Sequence, residues 1–282
     1  MKKRILVIGA TGLIGSAVAR QLNQDGYDVI VMSRNREKAG KFFSDEYEII
    51  EADVLQEESI INSFYGIDGL YINLPERDVP AALPNIIKYA GESGVSHIAY
   101  TSGCTVAEEN AWHPMIRGHY EGEKILVESG IPYTIFRLTM VMDMIPRYAN
   151  NGKPFIMGKQ VHGWSWIYSC DLAKMVSRAF GTEEAKNKKL TIFGPEKMTI
   201  AQAVDEYNKI FHPDAKPAKS QPYWMANMLA LFIGAKLKYA ISIFKYFEDH
   251  PEAGDPEPAN NLLGKPQTGL KAFFERLKSG LA

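Results

Sequence analysis

Short apolar runs alternate with amphipathic stretches through the first half of the chain. Six of these runs are rich in Ile, Val and Tyr and predict β-strands. They are Arg4–Ile8, Asp28–Met32, Tyr47–Glu51, Gly69–Asn73, His97–Thr101 and Tyr133–Arg137. Helical patterns lie between them, at about 13–25, 36–43, 56–65, 77–92 and 113–129. Strands that alternate with helices of this length predict repeated βαβ units and a parallel sheet.

The predicted strands are almost continuously apolar, which is typical of a sheet covered by helices on both faces. The sequence therefore predicts an α/β fold, a Rossmann-type doubly wound parallel sheet with a smaller mixed C-terminal lobe. After about Asn150 the alternation loosens, and Gly and Pro become frequent. We expect residues 1–150 to form a nucleotide-binding domain with a returning helix at about 171–180. Residues 151–282 are expected to form the smaller substrate or lid lobe.

Composition and charge narrow the classes of function. The 282 residues are 46% hydrophobic and 23% charged, with a net charge of -1. That balance gives no basic surplus for neutralising phosphates, so nucleic acid is not an expected partner. The two cysteines imply no disulfide framework, and the six histidines have no ligand spacing, so no metal is expected.

Two features bear on location. The longest apolar run, Met225–Ala235, is too short to span a bilayer. The first strand begins almost at Met1, which leaves no room for a targeting peptide. We therefore expect a cytoplasmic protein.

A glycine-rich segment directly follows the first strand and begins the first helix. Its sequence is Gly9-Ala10-Thr11-Gly12-Leu13-Ile14-Gly15. The glycines allow a tight turn, a close approach of the backbone to a pyrophosphate, and close packing of helix on strand. The phosphates then meet free N–H groups at the positive end of the helix. Between a predicted strand and a predicted helix, this motif predicts a dinucleotide site.

The end of the second strand distinguishes NAD from NADP. An acidic residue there would bind the ribose 2′-hydroxyl, whereas arginine accommodates a 2′-phosphate. The chain has no acid at this point and continues with Ser33, Arg34, Asn35 and Arg36. Arginine can bind a phosphate through paired donors. The predicted cofactor is therefore NADP(H) in preference to NAD(H), with Ser33, Arg34 and Arg36 among its contacts.

Several segments together resemble the NmrA-like branch, an atypical and extended branch of the short-chain dehydrogenase/reductase superfamily. The resemblance covers roughly residues 1–200. Its segments are GATGLIG (9–15), SRNR (33–36), ADV (52–54), IDG (67–69), YTSG (100–103), HYEGEK (119–124), SGIPYTIFR (129–137), DLA (171–173) and GPE (194–196). The resemblance implies further cofactor contacts in three pairs: Asp53 and Val54 near the adenine, Asn73 and Leu74 along the cofactor, and Thr101 and Ser102 beside the nicotinamide.

Tyr120 and Lys124 have the Y-x-x-x-K spacing, which places both on one face of the predicted helix. In the catalytic members of the superfamily this pair works with a Ser or Thr. The lysine holds the nicotinamide ribose and lowers the tyrosine pKa, and the phenol passes a proton to the substrate oxygen. The resemblance therefore implies that Tyr120, Lys124 and Ser102 are catalytic, with Lys124 also a cofactor contact.

The chain departs from that pattern in two ways. Gly103 occupies the usual hydroxyl position, although Thr101, Ser102 or Thr105 could substitute. His119 and Glu123 form a second i,i+4 pair, one residue around the same helix, which resembles quinone-reductase relatives in the branch. Adjacent faces cannot both point squarely at the nicotinamide. We favour Tyr120 and Lys124 and keep His119 as the competing acid.

The stretch Trp224–Phe247 is dense in large apolar residues and predicts a helix or a helix pair. Such a face packs on its own domain, lines an apolar pocket or forms a homodimer seam. The leading hypothesis is an NADP(H)-dependent oxidoreductase that reduces a small, rather apolar carbonyl or quinone. Gly103 motivates an alternative, a regulator that senses NADP(H) and binds a protein partner. A sugar-nucleotide epimerase or dehydratase is the third option.

Overall fold

The computed structural model describes residues 2–280. Its strands are β1 (Arg4–Ile8), β2 (Asp28–Ser33), β3 (Glu48–Glu51), β4 (Gly69–Ile72), β5 (His97–Gly103), β6 (Tyr133–Leu138), β7 (Ile156–Met157), β8 (Trp164–Trp166), β9 (Lys188–Ile192), β10 (Glu196–Met198) and β11 (Ser220–Gln221). Its α-helices are α1 (Leu13–Gln24), α2 (Arg36–Gly40), α3 (Glu57–Ile60), α4 (Val79–Glu92), α5 (Pro114–Glu128), α6 (Ile145–Ala149), α7 (Ser169–Ala179), α8 (Ile200–Phe211), α9 (Tyr223–Ile233), α10 (Ala235–Asp249), α11 (Glu257–Leu263) and α12 (Leu270–Lys278).

The chain divides into two compact units. The first unit comprises the chain up to Leu138 together with Ser169–Ile192 and Asp255–Lys265. It contains a seven-stranded sheet in the order β3-β2-β1-β4-β5-β6-β9, and every pairing in it is parallel. The predicted Rossmann-type α/β class is confirmed.

Helices cover this sheet, and buried strand residues explain why. Leu6 and Ile8 of β1 join a core cluster with residues of α3, α4 and α5. Ile5 and Val7, which alternate with them, are buried as well. Both sides of the strand are therefore removed from water, as the continuous apolar runs predict. On the same unit α1 packs against α7.

The six predicted strands are confirmed to within two residues at each end. The third predicted helix, 56–65, is wrong in length, because α3 ends at Ile60 and the chain continues in turns toward Gly66. Phe64 is nevertheless fully inaccessible, so the turns bury this apolar residue without a helix. The seventh strand, β9, was not predicted.

The second unit comprises Thr139–Tyr168, Phe193–Gly254 and the chain from Pro266 onward. It contains two small sheets, an antiparallel pair of β8 and β10 and a parallel pair of β7 and β11. The predicted helical stretch in this unit is a helix pair, α9 and α10, that turns at Gly234 with φ +88°. No helix within residues 2–280 is long and apolar enough to cross a bilayer.

Candidate functional site

The glycine turn between β1 and α1 has a geometry that side chains would block. Gly9 has φ +86°, and a Cβ added there would overlap the carbonyl oxygen of Asn73. A Cβ on Gly15 would overlap the carbonyl oxygen of Gly9. The Gly12 N–H donates to that same Gly9 carbonyl at 3.0 Å and closes the turn. The turn brings backbone rather than side chains to the beginning of α1, as a pyrophosphate site requires.

A groove lies at the carboxyl ends of β1 to β4. β1 is the point where the strand order reverses, because β2 pairs on one side of it and β4 on the other. Ligands of doubly wound sheets bind at such a switch point. The groove has a cavity volume of about 250 Å³. Its lining residues come from the ends of four strands and are Ile8, Gly9, Thr11, Met32, Ser33, Arg34, Asn35, Lys38, Ala52, Asp53, Val54, Leu55, Asn73, Leu74, Pro75 and Asp78.

The predicted cofactor residues divide into three sets. Eight line the groove: Gly9, Thr11, Ser33, Arg34, Asp53, Val54, Asn73 and Leu74. Gly12, Leu13, Ile14 and Gly15 form the N-cap and first turn of α1 beside it. The other three, Arg36, Thr101 and Lys124, are not among the groove residues. The groove also contains Lys38, which sequence reasoning missed; its spacing of four from Arg34 was the available signal.

The charges at the end of β2 are positive. Arg34 is exposed at the groove, and Lys38 lies one helical turn further on. Arg36 points elsewhere, since its guanidinium donates to the carbonyl oxygen of Ile49 on β3 at 2.5 Å. The Asp53 carboxylate is partly engaged, because its Oδ1 accepts the Leu55 N–H at 3.1 Å. A negatively charged ligand group would therefore meet Arg34 and Lys38 at this end of the groove.

The helix that carries the candidate acids lies against the loop that leaves the groove. That loop runs through Asn73, Leu74 and Pro75 to Glu76. A Cβ on Gly118 of α5 would overlap the carbonyl oxygen of Glu76. Only glycine permits this contact, and the next residue, His119, lies near enough to Glu76 to feel its charge.

His119 is held from the sheet side. Its Nδ1 lies 3.0 Å from the hydroxyl of Tyr100, a β5 residue that is fully buried. Room for that hydroxyl depends on Gly122, where a Cβ would lie 2.8 Å from the Tyr100 oxygen. Burial lowers the pKa of His119 from its ordinary value, against the charges of Glu76 and Glu123, which raise it. Burial raises the pKa of Tyr100, so the phenol keeps its proton. The pair is therefore a neutral imidazole beside a neutral phenol.

Tyr120 and Lys124 lie one residue further around α5. Tyr120 is half-buried and Lys124 is exposed. The Lys124 ammonium lies 5.9 Å from the centroid of the Tyr120 ring, over its face. The two side chains therefore meet each other, as the spacing of four predicts.

The two hydroxyls near the end of β5 have partners inside the protein. Thr101 Oγ1 lies 2.7 Å from the buried Tyr71 hydroxyl. Ser102 Oγ donates to Glu123 Oε1 at 2.7 Å. Both Thr101 and Ser102 are buried. Their hydroxyls therefore hold β5 to its surroundings. Within residues 2–280 no group of three or more His, Cys, Asp or Glu side chains could hold a metal ion.

The fold and the glycine turn with its groove define a Rossmann-type dinucleotide-binding protein. A model of the NAD(P)H-binding family matches residues 9–179. The chain belongs to this NAD(P)H-binding family. Its relatives support the NmrA-like branch of the short-chain dehydrogenase/reductase superfamily and an NAD(P)-dependent oxidoreductase. The resemblance carried by the sequence motifs is thereby confirmed.

Relatives of this chain have several described roles. It is 26% identical to a photosystem II assembly factor, Ycf39, of Trieres chinensis, over 98% of this chain and 86% of that protein. It is 25% identical to an NAD(P)H azoreductase of Xenophilus azovorans, over 70% of each chain. It is 29% identical to quinone oxidoreductase 2 of Escherichia coli, over 47% of each chain.

A solved structure of the Escherichia coli NADPH-dependent quinone oxidoreductase QOR2, in complex with NADPH, has the same fold. Its TM-score is 0.76 at 23% identity, over 97% of this chain and 99% of that one.

Proposed function

We propose that the chain is an NADP(H)-dependent oxidoreductase that reduces a small, rather apolar carbonyl or quinone by hydride transfer. The observation that carries the proposal is the groove, where a side-chain-free turn at α1 adjoins two cations at the end of β2. The turn suits the pyrophosphate, and Arg34 with Lys38 suits the 2′-phosphate of NADP(H). The bound cofactor would supply the hydride, and the protein would supply binding, orientation and a proton.

His119 is the proton donor that we propose for this reaction. A Tyr100 phenol that donates to Nδ1 leaves the imidazole proton on Nε2, where it can be passed to a substrate oxygen. Tyr100 would then be a positioning residue. The alternative acid is Tyr120 with Lys124, and Lys124 is exposed rather than enclosed. The contacts of His119 therefore favour it over Tyr120 and Lys124, the pair that the sequence spacing favoured.

Two relatives support the proposed substrate class. The names of two relatives describe an azoreductase and a quinone oxidoreductase. Azo compounds and quinones are both conjugated electron acceptors that a hydride donor can reduce. We therefore place a quinone first among the substrates and an aldehyde or ketone second.

Calorimetric titration with NADPH and NADH, followed by an NADPH-oxidation assay, tests this function. The acceptor panel contains benzoquinones, naphthoquinones, an azo dye and apolar aldehydes, with a UDP-sugar as the epimerase control. We expect NADPH to bind at least tenfold more tightly than NADH and at least one acceptor to be reduced. Equal affinity for the two cofactors would remove the NADP(H) preference, and a purely epimerising activity would replace the reductase.

A second candidate is a regulator that binds a protein partner according to the state of the cofactor. The buried, engaged hydroxyls of Thr101 and Ser102 favour it, because a reductase of the common type would keep one of them for substrate. The assembly-factor relative, which matches 98% of the chain, also favours it. Tight NADPH binding without turnover, together with a partner captured only in the presence of NADPH, would support this candidate. Capture of the partner to the same extent with and without NADPH would argue against it.

A further inference from the structure

Helix α9 presents a large apolar surface to solvent. Seven of its eleven residues are large apolar side chains that are exposed, and Leu231 and Phe232 are 75% and 86% accessible. The seven are Trp224, Met225, Met228, Leu229, Leu231, Phe232 and Ile233. A contiguous exposed set of this size on one helix marks an interaction surface.

The exposed set occupies one broad face, which we name the α9 face. At 100° per residue its seven members span an arc of about 200°. The helix is seated through the opposite side, where Ala226 and Ala230 are buried. Its first residue is anchored as well, because the Tyr223 hydroxyl donates to Glu248 at 2.6 Å and Lys245 lies over the Tyr223 ring. The α9 face is therefore turned away from its own unit.

The charge that follows the exposed end of the α9 face is positive, whereas the acids Glu248 and Asp249 lie at its beginning, beside Tyr223. Residues 215–247 contain five lysines and no aspartate or glutamate, in a chain whose net charge is -1. The lysines are Lys216, Lys219, Lys236, Lys238 and Lys245, and all five are exposed. Lys236 and Lys238 lie in the first turn of α10, just after Gly234, so they flank the end of the α9 face. An apolar helix bordered by cations is complementary to an anionic surface with an apolar interior.

We propose that α9 docks this protein on an anionic lipid bilayer, lying in the interface with its apolar face among the acyl chains and the lysines at the phosphates. The helix is about 16 Å long, too short to cross a hydrocarbon core of about 30 Å, so it lies on the membrane rather than through it. A second copy of the chain is a poorer occupant. A two-fold interface would bring Lys236 and Lys238 of one copy close to those of the other.

Vesicle flotation tests the docking. Phosphatidylcholine vesicles with and without about 30% phosphatidylglycerol, an anionic lipid, are mixed with the full chain at low and high salt. We expect binding to the anionic vesicles that weakens at least tenfold in high salt, and little binding to the neutral ones. The variant Leu231→Ser/Phe232→Ser should lose roughly tenfold or more in affinity, and Lys236→Gln/Lys238→Gln should lose the salt-sensitive part. Tyr65→Ser, at an 87% exposed position on the other unit, is the matched control and should bind normally.

The position of Trp224 gives a second, independent readout. In a Trp112→Phe background, which removes another exposed indole, brominated acyl chains should quench Trp224 when anionic vesicles are added. All these substitutions alter exposed side chains, so thermal unfolding should stay unchanged and report that the variants fold. Failure to bind anionic vesicles would overturn the proposal, as would equal binding to neutral ones. So would a dimer in sedimentation that Leu231→Ser/Phe232→Ser abolishes in the absence of any vesicle binding.

Discussion

The guanidinium of Arg137 binds the buried carboxylate of Glu123 through two hydrogen bonds, of 2.9 and 2.6 Å. The ammonium of Lys189 on β9 is a second cation beside this carboxylate, at 2.9 Å. The Glu123 side chain is only 1% exposed. Burial alone would raise the pKa of Glu123, but the hydrogen bonds from Arg137, Lys189 and Ser102 lower it below its usual value. One carboxylate therefore joins α5 to β5, β6 and β9.

Removing this carboxylate should destabilise the protein. In Glu123→Ala the two cations lose their buried partner, and breaking such a pair costs about 3–5 kcal/mol. Urea unfolding followed by circular dichroism measures the change. Glu128→Ala, an exposed carboxylate on the same helix, is the matched control and should stay within about 0.5 kcal/mol of the parent. Equal costs for the two variants would mean that the ion pair contributes nothing net.

His97 makes stability depend on pH. It is 3% exposed, and burial, aided by the charges of Lys186 and Lys3, lowers its pKa from 6.5 to about 4. Between these two values the unfolded chain binds the proton and the folded chain does not, so stability falls as the pH falls. The full shift corresponds to about 3 kcal/mol, present above pH 6.5 and lost by pH 4.

Urea unfolding at several pH values from 4 to 7 checks this slope. His97→Gln should remove this histidine's contribution to it, leaving that of the carboxylates. Lys186→Gln should raise the pKa of His97 toward its ordinary value and so narrow the pH range over which stability is lost. An unchanged slope in His97→Gln would assign the acid sensitivity to other groups.

The glycine turn can be tested with two alanine variants. Gly15→Ala should abolish cofactor binding and destabilise the fold, because its Cβ would overlap the backbone of Gly9, which has no flexible end to move away. Gly40→Ala is the matched control, since it lies in α2 with nothing within 4 Å and should be neutral or more stable by up to about 1 kcal/mol. Calorimetry with NADPH and thermal unfolding compare them. A Gly15→Ala protein that binds NADPH normally would contradict the assigned site.

Arg34 and Arg36 should differ in their effect on cofactor choice. Arg34→Ala removes a cation at the groove and should weaken NADPH about 10- to 100-fold while leaving NADH unchanged. Arg36→Ala removes the contact with Ile49 and should affect folding stability more than cofactor choice. Parallel titrations with both nucleotides decide the matter. If Arg36→Ala alone alters the NADPH to NADH ratio, Arg36 is the phosphate ligand.

The sheet was predictable because, along β1 to β6, apolar runs of strand length alternate regularly with helical patterns. The glycine turn was predictable from its place between β1 and α1. β9 was not predictable in the same way. It begins with Lys188 and Lys189 at the edge of the sheet, and two charged residues do not form the apolar pattern that predicts a strand. Lys189 pairs with Glu123, which is distant in sequence, so its role could not be seen from its neighbours in the chain. The choice between the two pairs on α5 was also beyond the sequence. Both pairs have the same spacing. The side of α5 that faces the protein is identified only by the close packing of Gly118 on Glu76 and of Gly122 on Tyr100.

The final prediction separates His119 from Tyr120 as the acid. His119→Gln should lower kcat by about 10²- to 10⁴-fold, the usual worth of a general acid, with NADPH affinity unchanged. Tyr120→Phe removes the hydroxyl of the competing acid on the neighbouring face of α5, and it should keep kcat within about threefold of the parent value. Tyr100→Phe should lower kcat less than His119→Gln and shift the pH profile, because the Nδ1 lone pair loses the phenol that it accepts from and the Nε2–H form is no longer fixed. Single-turnover assays with the best quinone measure all three, and a loss confined to Tyr120→Phe would return the role to Tyr120 and Lys124.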